Sequence, residues 1–463
     1  MSRTLAILHQ FPPDRAVGAQ SCAQICRYLP SFDWDVSVLT VHERYFRVDQ
    51  HPSNGYSGTV IRTGVIPHPF EFYRWLKART FEPERQIQPT SHGSEKGSSL
   101  RRSIRSLLEV PDSYTGWILP AVLSGLGAIR RERIDCLFSS GPWWTNHLVA
   151  LVLAQITGVP WVAHFRDSWA QGYWVKSVTP LSIRIEKALE RAVVKRAAAV
   201  VCVTEMQTEM LRAANRDVPE SKFTTIPNGY DDAEWDSTPA SPAAEGRNEK
   251  FVITYAGNLY HGRSPYPLFR ALHSLIDSGR VQRDEIHVEL LGMCEMAEGA
   301  KVLNVAETLG VAPCVSMPGV LIKSEAIRRM QKSDLLLLLV DEQNYSIPAK
   351  TYEYLRAGRP ILALTRGGAV VGLLRETGGA WIVDPDETSE IESAVMDAYS
   401  AWKDGLDARV PDQDVVKSYD RRLLAGRIAE VLNTVCRPPR QRRASTASTI
   451  RSAAWPSHSS GTR

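Results

Sequence analysis

The 463-residue chain has no CxxC pair; its seven cysteines are scattered at 22, 26, 136, 202, 294, 314 and 436. An odd, dispersed set without histidines at zinc spacing excludes a disulfide framework and a zinc-finger site, and predicts a reducing compartment. Cys22 and Cys26, four apart on a predicted helix, read as buried small hydrophobes rather than a redox or metal pair. Long apolar runs are also missing. The longest, such as "DLLLLLV" at 334–340, fall far short of the roughly 20 residues a membrane span needs. "MSRTLAILHQFPP" lacks the apolar core of a signal peptide and reads as a first β-strand. A cytoplasmic protein is expected, with a peripheral position on the inner face of a membrane left open. Neither GxGxxG nor GxxxxGK[ST] follows any predicted strand, which disfavours a hydride-transfer enzyme and a P-loop NTPase.

What is present is ordinary soluble composition, 43% hydrophobic and 23% charged, in a chain long enough for two or three domains. The net charge of +4 comes from the tail after Cys436, which carries six arginines and no acid. Its Ser, Thr, Pro and Arg content cannot bury a core, so residues 437–463 read as a disordered basic tail. Nothing else points to specific nucleic-acid recognition.

Short β-branched runs alternate with longer helical patterns, the mark of βαβ units and parallel sheets. The first series runs "LAILHQF" (5–11), "WDVSVLT" (34–40), "TVIRTG" (59–64), "CLFSSGP" (136–142), "WVAHFRD" (161–167), "AVVCVT" (199–204) and "FTTIPNG" (223–229). A Pro-, Ala- and Ser-rich stretch at 236–250 breaks it. The alternation restarts with "FVITYAG" (251–257), "IHVELLG" (286–292), "VSMPGV" (315–320), "LLLLLV" (335–340), "PILALT" (360–365) and "WIVD" (381–384). An α/β chain is predicted, with an N-terminal Rossmann-like domain at 1–240, a C-terminal one at 246–415, and a last helix at 416–436 packing back on the first. Such sheets bind ligands at the carboxyl ends of their strands.

Residues 70–110 depart from the alternation. Between Arg74 and Arg105 they hold eight Lys/Arg against three Glu. Leu100, Ile104, Leu107 and Leu108 have helical spacing. Beside Phe70, Phe72, Tyr73 and Trp75, a basic amphipathic helix suits an anionic membrane surface; a helix packed on its own domain is the plainer alternative.

Several strand ends carry residues suited to phosphate. Gly18 stands between "HQFPPDRAV" and the helical "AQSCAQICRYL", where a close backbone and a helix N-terminus favour an anion. In "YAGNLYHGR" (255–263) the strand ends at Gly257, Asn258 offers polar contacts, and Arg263 opens the next helical segment, where a guanidinium can fork onto a diphosphate. In "SIPAKTYEYLRAGRPILAL" (346–364) Lys350 and Glu353 lie one turn apart at the start of a helix led by Pro348. The lysine suits a phosphate and the glutamate suits two vicinal hydroxyls, as on a ribose. An exposed i,i+3 ion pair is the alternative.

"IPAKTYEYLRAGRPILAL" resembles the signature of the retaining GT-B glycosyltransferases, specifically family 4 (the glycosyltransferase group 1 type). "SSGPWWTNHLVALVLAQITGVPWVAHFRDSWAQ" (139–171), "VVCVTEMQTEML", "TIPNGYDDAEW" and "FVITYAGNLYHGRSPYPLFRAL" resemble other blocks of that family in the same order. The resemblance covers residues 5–65 and 135–435. It implies a GT-B fold, two doubly wound Rossmann-like domains facing a central cleft. The activity implied is transfer of a sugar from a nucleoside-diphosphate sugar, with retention of configuration and without a metal, to a glycan or lipid-linked acceptor in surface polysaccharide or glycolipid biosynthesis. No cofactor beyond the donor co-substrate is implied.

By the same resemblance Glu353 holds the ribose, Arg263 and Lys350 stabilise the leaving diphosphate, and Gly18 faces that diphosphate. Gly257 and Asn258 form the donor-phosphate turn, and Asn228 with Gly229 matches an "NG" near the hinge. His164, Arg166 and Asp167, ending "WVAHFRD", stand where donor-sugar and acceptor hydroxyls are positioned; Asp167 either orients a hydroxyl or fixes Arg166. Two departures stand out. The family's first glutamate falls at Tyr345, and no second basic residue clearly follows Arg263, with only Arg270 nearby. A GT-B nucleotide-sugar epimerase or phosphorylase and a non-catalytic scaffold are the alternatives.

Overall fold

A computed structural model of the chain describes residues 1–14, 16–45, 55–67, 109–170, 179–236, 248–260, 262–340, 345–406 and 409–436. The expected basic segment lies outside these residues except for 109–110, as do most of the Pro-rich stretch and the whole of the tail. The described residues form two compact units: those within 1–164, 176–200 and 426–436 in one, and those within 165–175 and 201–425 in the other.

The first sheet is parallel and seven-stranded, in the order β3-β2-β1-β4-β5-β6-β7. Its strands are β1 (Ser2–Ile7), β2 (Trp34–Val41), β3 (Thr59–Thr63), β4 (Cys136–Gly141), β5 (Trp161–Phe165), β6 (Ala199–Cys202) and β7 (Phe223–Thr225). β1 pairs with β2 from Ser2↔Trp34 to Ile7↔Leu39 and with β4 from Thr4↔Cys136 to Ile7↔Ser139. Leu5, Ala6, Ile7 and all of β4 are buried, as expected of central strands covered on both faces. The crossover helices are α1 (Val17–Tyr28), α2 (Ile118–Glu132), α3 (Thr145–Thr157), α4 (Pro180–Arg196) and α5 (Glu205–Ala214). α4 begins in a capping box, Thr179 accepting from the Ser182 amide at 3.1 Å. Several strands are shorter than the sequence pattern predicts: β1 stops at Ile7 and β7 at Thr225, leaving "HQF" and "IPNG" as loop at the strand ends.

After α6 (Asp232–Asp236) the second sheet is six-stranded, in the order β12-β9-β8-β13-β14-β15. It contains β8 (Phe251–Ala256), β9 (Ile286–Leu291), β12 (Val315–Gly319), β13 (Leu335–Leu339), β14 (Ile361–Leu364) and β15 (Ala380–Val383). A two-residue hairpin, β10 (Met296–Ala297) with β11 (Ala300–Lys301), is an addition the sequence pattern does not predict. The helices are α7 (Tyr266–Asp277), α8 (Val302–Thr308), α9 (Lys323–Lys332), α10 (Ala349–Ala357), α11 (Ala369–Thr377), α12 (Thr388–Asp404), α13 (Gln413–Val416) and α14 (Arg421–Cys436).

The five leucines of β13 are all buried because helices cover both faces. Leu335, Leu337 and Leu339 join a core with α7 and α12, while Leu336 and Leu338 join another with residues of α9, α10 and α11. At the far end of the chain, Asn433 of α14 accepts from Trp34 Nε1 at 3.2 Å, and Gly426 lies against Phe32. No helix among the described residues is long and apolar enough to cross a membrane.

Candidate functional site

The strand order of the second sheet reverses at β8: β9 and β12 lie on one side, β13 to β15 on the other. A crevice at the carboxyl end of such a switch point is where open α/β sheets bind ligands. β8 runs there into Gly257 and Asn258. Gly257 has φ +146°, and a Cβ on it would meet Lys350 Nζ at 2.6 Å. Lys350 Nζ donates to Tyr255 Oη at 2.6 Å and lies 3.8 Å from the centroid of that ring. Tyr255 Oη donates onward to the Asn258 carbonyl at 2.9 Å. Burial raises the Tyr255 phenol, Tyr354 adds to the rise and Arg263 opposes it; the neutral hydroxyl serves as acceptor and donor at once.

The turns after β8 and β9 are tied together. Asn258 Oδ1 accepts from the Met293 amide at 3.0 Å, and Leu259 N donates to the Met293 carbonyl at 3.1 Å. Gly292 has φ +124° and lies so near Gly257 that a Cβ would come within 2.4 Å of its carbonyl oxygen. Burial pushes the neighbouring Cys294 thiol up to about 12, against the pull of Lys350. Arg263 closes a turn through its amide to the Tyr260 carbonyl at 3.1 Å, and its guanidinium lies 4.6 Å over the Tyr260 ring. Its charge acts on both Tyr255 and Tyr354. Gly257, Asn258 and Lys350 therefore gather at one strand tip, the ammonium next to a close-approach glycine, and Arg263 acts on that tip through its charge on Tyr255.

α10 begins after Pro348, which makes no side-chain cap, and the Thr351 amide closes back on the Pro348 carbonyl at 2.9 Å. Lys350 stands in its first turn and Glu353 one turn on. They do not share one partner. Glu353 Oε1 pairs with Lys323 Nζ at the start of α9, and Lys323 Nζ is also 3.7 Å from Glu234 Oε2 on α6. Burial raises the Glu234 carboxyl, Glu353 adding to it and Lys323 opposing. Lys323 is raised despite desolvation, by Glu353 and Glu234. Tyr345 is fixed through its backbone: its carbonyl accepts from Thr204 Oγ1 at 2.6 Å.

Asn228 and Gly229 lie in the loop after β7. A Cβ on Gly229 would sit 1.9 Å from the Tyr419 carbonyl oxygen, and Arg421 Nε donates to the Gly229 carbonyl at 2.9 Å. Tyr230 exchanges backbone bonds with this same segment, its amide donating to Tyr419 O at 3.2 Å and its carbonyl accepting from Arg421 N at 2.9 Å. Here the glycine serves close backbone packing.

In the first sheet, Gly18 falls inside the first turn of α1 rather than in the loop before it. Asp14 holds the approach, its Oδ1 accepting from the Ala16 amide at 3.0 Å. His164, 3% exposed, is the next-to-last residue of β5, with Nδ1 3.1 Å from Ser140 Oγ and its ring stacked on Phe138. Arg166 and Asp167 follow β5, both half-buried.

A buried polar network at the ends of β1 and β4 goes beyond the sequence reading. His9 N donates to Asn146 Oδ1 at 2.9 Å, and Asn146 Nδ2 donates to Ser140 O at 2.7 Å. Trp161 Nε1 donates to Ser139 Oγ at 2.8 Å, which lies 2.7 Å from His147 Nδ1. Asp112 accepts from the Thr145 amide and hydroxyl at 2.9 and 2.6 Å; burial raises its carboxyl against those bonds. Burial also lowers His9 to about 3, so this imidazole, packed on Tyr114 and Trp117, is neutral near pH 7. His9, Glu234 and Tyr255 stand inside stretches the sequence reading singled out but were given no role there, and Lys323 and Asp112 lie outside every such stretch. Among the described residues no group of three or more His, Cys, Asp or Glu is arranged to hold a metal ion.

Residues 18–229 match the family model of the glycosyl transferase 4-like domain. No curated protein matches the sequence. Among solved structures, sucrose-phosphate synthase from Thermosynechococcus elongatus is similar with a TM-score of 0.61 at 13% identity, over 94% of this chain and 98% of that one. The UDP-forming α,α-trehalose-phosphate synthase from Burkholderia xenovorans gives 0.59 at 13%, over 95% and 100%. HepE from Anabaena, solved in complex with UDP-glucose, gives 0.56 at 14%, over 94% and 100%. Identities this low speak for the fold alone. With two parallel-sheet α/β domains and these structural neighbours, the chain has the GT-B fold of glycosyltransferases.

Proposed function

We propose that the protein is a glycosyltransferase that moves a sugar from a nucleoside-diphosphate sugar to a glycan or lipid-linked acceptor, with retention of configuration and without a metal. The observation that carries this is the strand tip at Gly257. There a lysine from the first turn of α10, held by Tyr255, stands beside a glycine where backbone can approach a ligand closely, and the charge of Arg263 acts on the same tyrosine. A departing diphosphate gains negative charge, so Arg263 and Lys350 stabilise the transition state more than the ground state. Glu353 accepts from the ribose hydroxyls. In the retaining reaction the acceptor hydroxyl attacks on the face the phosphate leaves, and a phosphate oxygen takes its proton. His164, Arg166 and Asp167 position sugar and acceptor hydroxyls in this reading. Asn228 and Gly18 remain candidate contacts to the donor, Gly18 through its backbone in the first turn of α1.

HepE has been solved with UDP and with UDP-glucose, which makes UDP the first nucleotide to try. The test is a thermal-shift panel of UDP, GDP, TDP, ADP and CMP, since a ligand of the folded state raises the melting temperature with its excess over Kd. One diphosphate is expected to stabilise the wild type, and Glu353→Ala is expected to lose the shift. If no nucleotide shifts it and no donor is turned over, a non-catalytic scaffold replaces this reading. Turnover unchanged by EDTA, with an axial-to-axial or equatorial-to-equatorial anomeric outcome by NMR, checks metal independence and retention. Contact with an anionic membrane through 70–110 is part of the proposal for a lipid-linked acceptor. It fails if the protein ignores phosphatidylglycerol vesicles at low salt.

A further inference from the structure

Lys323 is the first residue of α9, a place where the helix dipole disfavours a cation. Its side chain is nonetheless aimed at anions. It pairs with Glu353 Oε1 and lies 3.7 Å from Glu234 Oε2, joining three helices that are separate in sequence. Glu353 Oε2 takes no hydrogen bond among the described residues, and the Glu353 side chain is 28% exposed. One carboxylate oxygen is therefore held and the other is open. Resting on the reading of Glu353 as the ribose acceptor, we propose that Lys323 is a positioning residue that sets sugar specificity in the nucleotide. By clamping Oε1 it fixes the rotamer of Glu353, so that Oε2 accepts from the ribose 2′,3′-diol and the site discriminates ribo- from 2′-deoxyribonucleoside diphosphates.

The physical reason is preorganisation. A glutamate with three free torsions loses side-chain entropy when it orders on a ligand; one already held by a charge-assisted bond loses less. Glu234 supplies the second negative charge that keeps the ammonium from being drawn away toward the diphosphate. Arg356 secures the helix bearing Glu234 to α10 through Asp232 at 2.6 Å, so the clamp has a fixed base.

The experiment is calorimetric binding of UDP against 2′-deoxy-UDP, with GDP against 2′-deoxy-GDP in parallel, to wild type, Lys323→Met, Lys323→Arg and Glu353→Gln. The wild type is expected to prefer the ribonucleotide by about tenfold, the scale of one hydrogen bond to a charged group. Lys323→Met is expected to lose most of that preference by weakening the ribonucleotide alone, and Lys323→Arg to restore it. Equal weakening of both nucleotides, or an intact preference, overturns the proposal. If Glu353→Gln collapses the preference while Lys323→Met does not, Glu353 holds the ribose without the clamp. If Glu353→Gln leaves it intact, or the wild type shows none, the ribose reading falls and this proposal with it. Ligand-free melting of each variant separates a folding defect from these outcomes, because a merely structural lysine shifts both nucleotides together.

Discussion

At the residue scale, Gly257 sets what the strand tip can hold. Its φ of +146° suits glycine, and the space beside it is taken by Lys350 Nζ at 2.6 Å from where a Cβ would stand. Gly257→Ala forces a backbone strain of about 1–3 kcal/mol and pushes the ammonium off Tyr255. Diphosphate affinity and melting temperature are both expected to fall. Lys350→Met is expected to lower affinity about tenfold, as for loss of a charged hydrogen bond, while the melting temperature stays near wild type. Parallel calorimetry and thermal denaturation check the split. A Lys350→Met variant that binds UDP as the wild type does would remove Lys350 from the site.

At the element scale, the pairing of residues 229–230 with 419–421 fastens the chain before α14. Gly229→Ala would place a methyl group 1.9 Å from the Tyr419 carbonyl oxygen and 2.7 Å from Leu424. The Leu424 side chain can turn aside, but the Tyr419 carbonyl cannot yield without breaking its bond from the Tyr230 amide. Overpacking of this kind costs about 1–3 kcal/mol, a fall of a few degrees for a domain of about 200 residues. Melting curves are expected to show it, with Arg421→Met, which loses the bond to the Gly229 carbonyl, producing a smaller drop. The same two glycine-flanked regions show how much of the site the sequence discloses. The tip at Gly257 and the lysine of α10 are legible because strand ends and helix starts leave local signals. The function of Gly229 is not, because its partner is a backbone carbonyl 190 positions away.

At the scale of the whole molecule, stability should carry the signature of a buried neutral histidine. His9 is lowered from 6.5 to about 3, so below pH 6.5 the unfolded chain binds a proton that the folded chain refuses. Stability from this group is complete above pH 6.5 and declines as pH falls toward 3, by up to about 1.4 kcal/mol per pH unit. Asp112, raised by burial, has the opposite sign, contributing stability below its folded value. Comparing the wild type with His9→Gln cancels Asp112. Between pH 6.5 and 4.5 the wild type is expected to lose stability faster than the variant in urea titrations. Parallel curves would show that His9 takes up its proton without unfolding.

The sequence by itself determined the class of the protein. Short apolar runs alternating with amphipathic helices specify two parallel α/β sheets, and a Pro-rich break separates the two series. The spacing of Lys350 and Glu353 places both on the first two turns of one helix, since periodicity is a local property of the backbone. Which groups they meet was decided only by tertiary structure. The order β9-β8-β13 sets α10 beside a strand that ends nearly a hundred residues earlier, bringing Lys350 to Tyr255 and Gly257. Lys323 reaches Glu353 and Glu234 by the packing of three helices, and Asp112 reaches Thr145 across 33 residues. A side chain's partner depends on which strands become neighbours. That is fixed by burying two faces of each sheet together, and no window of sequence contains it.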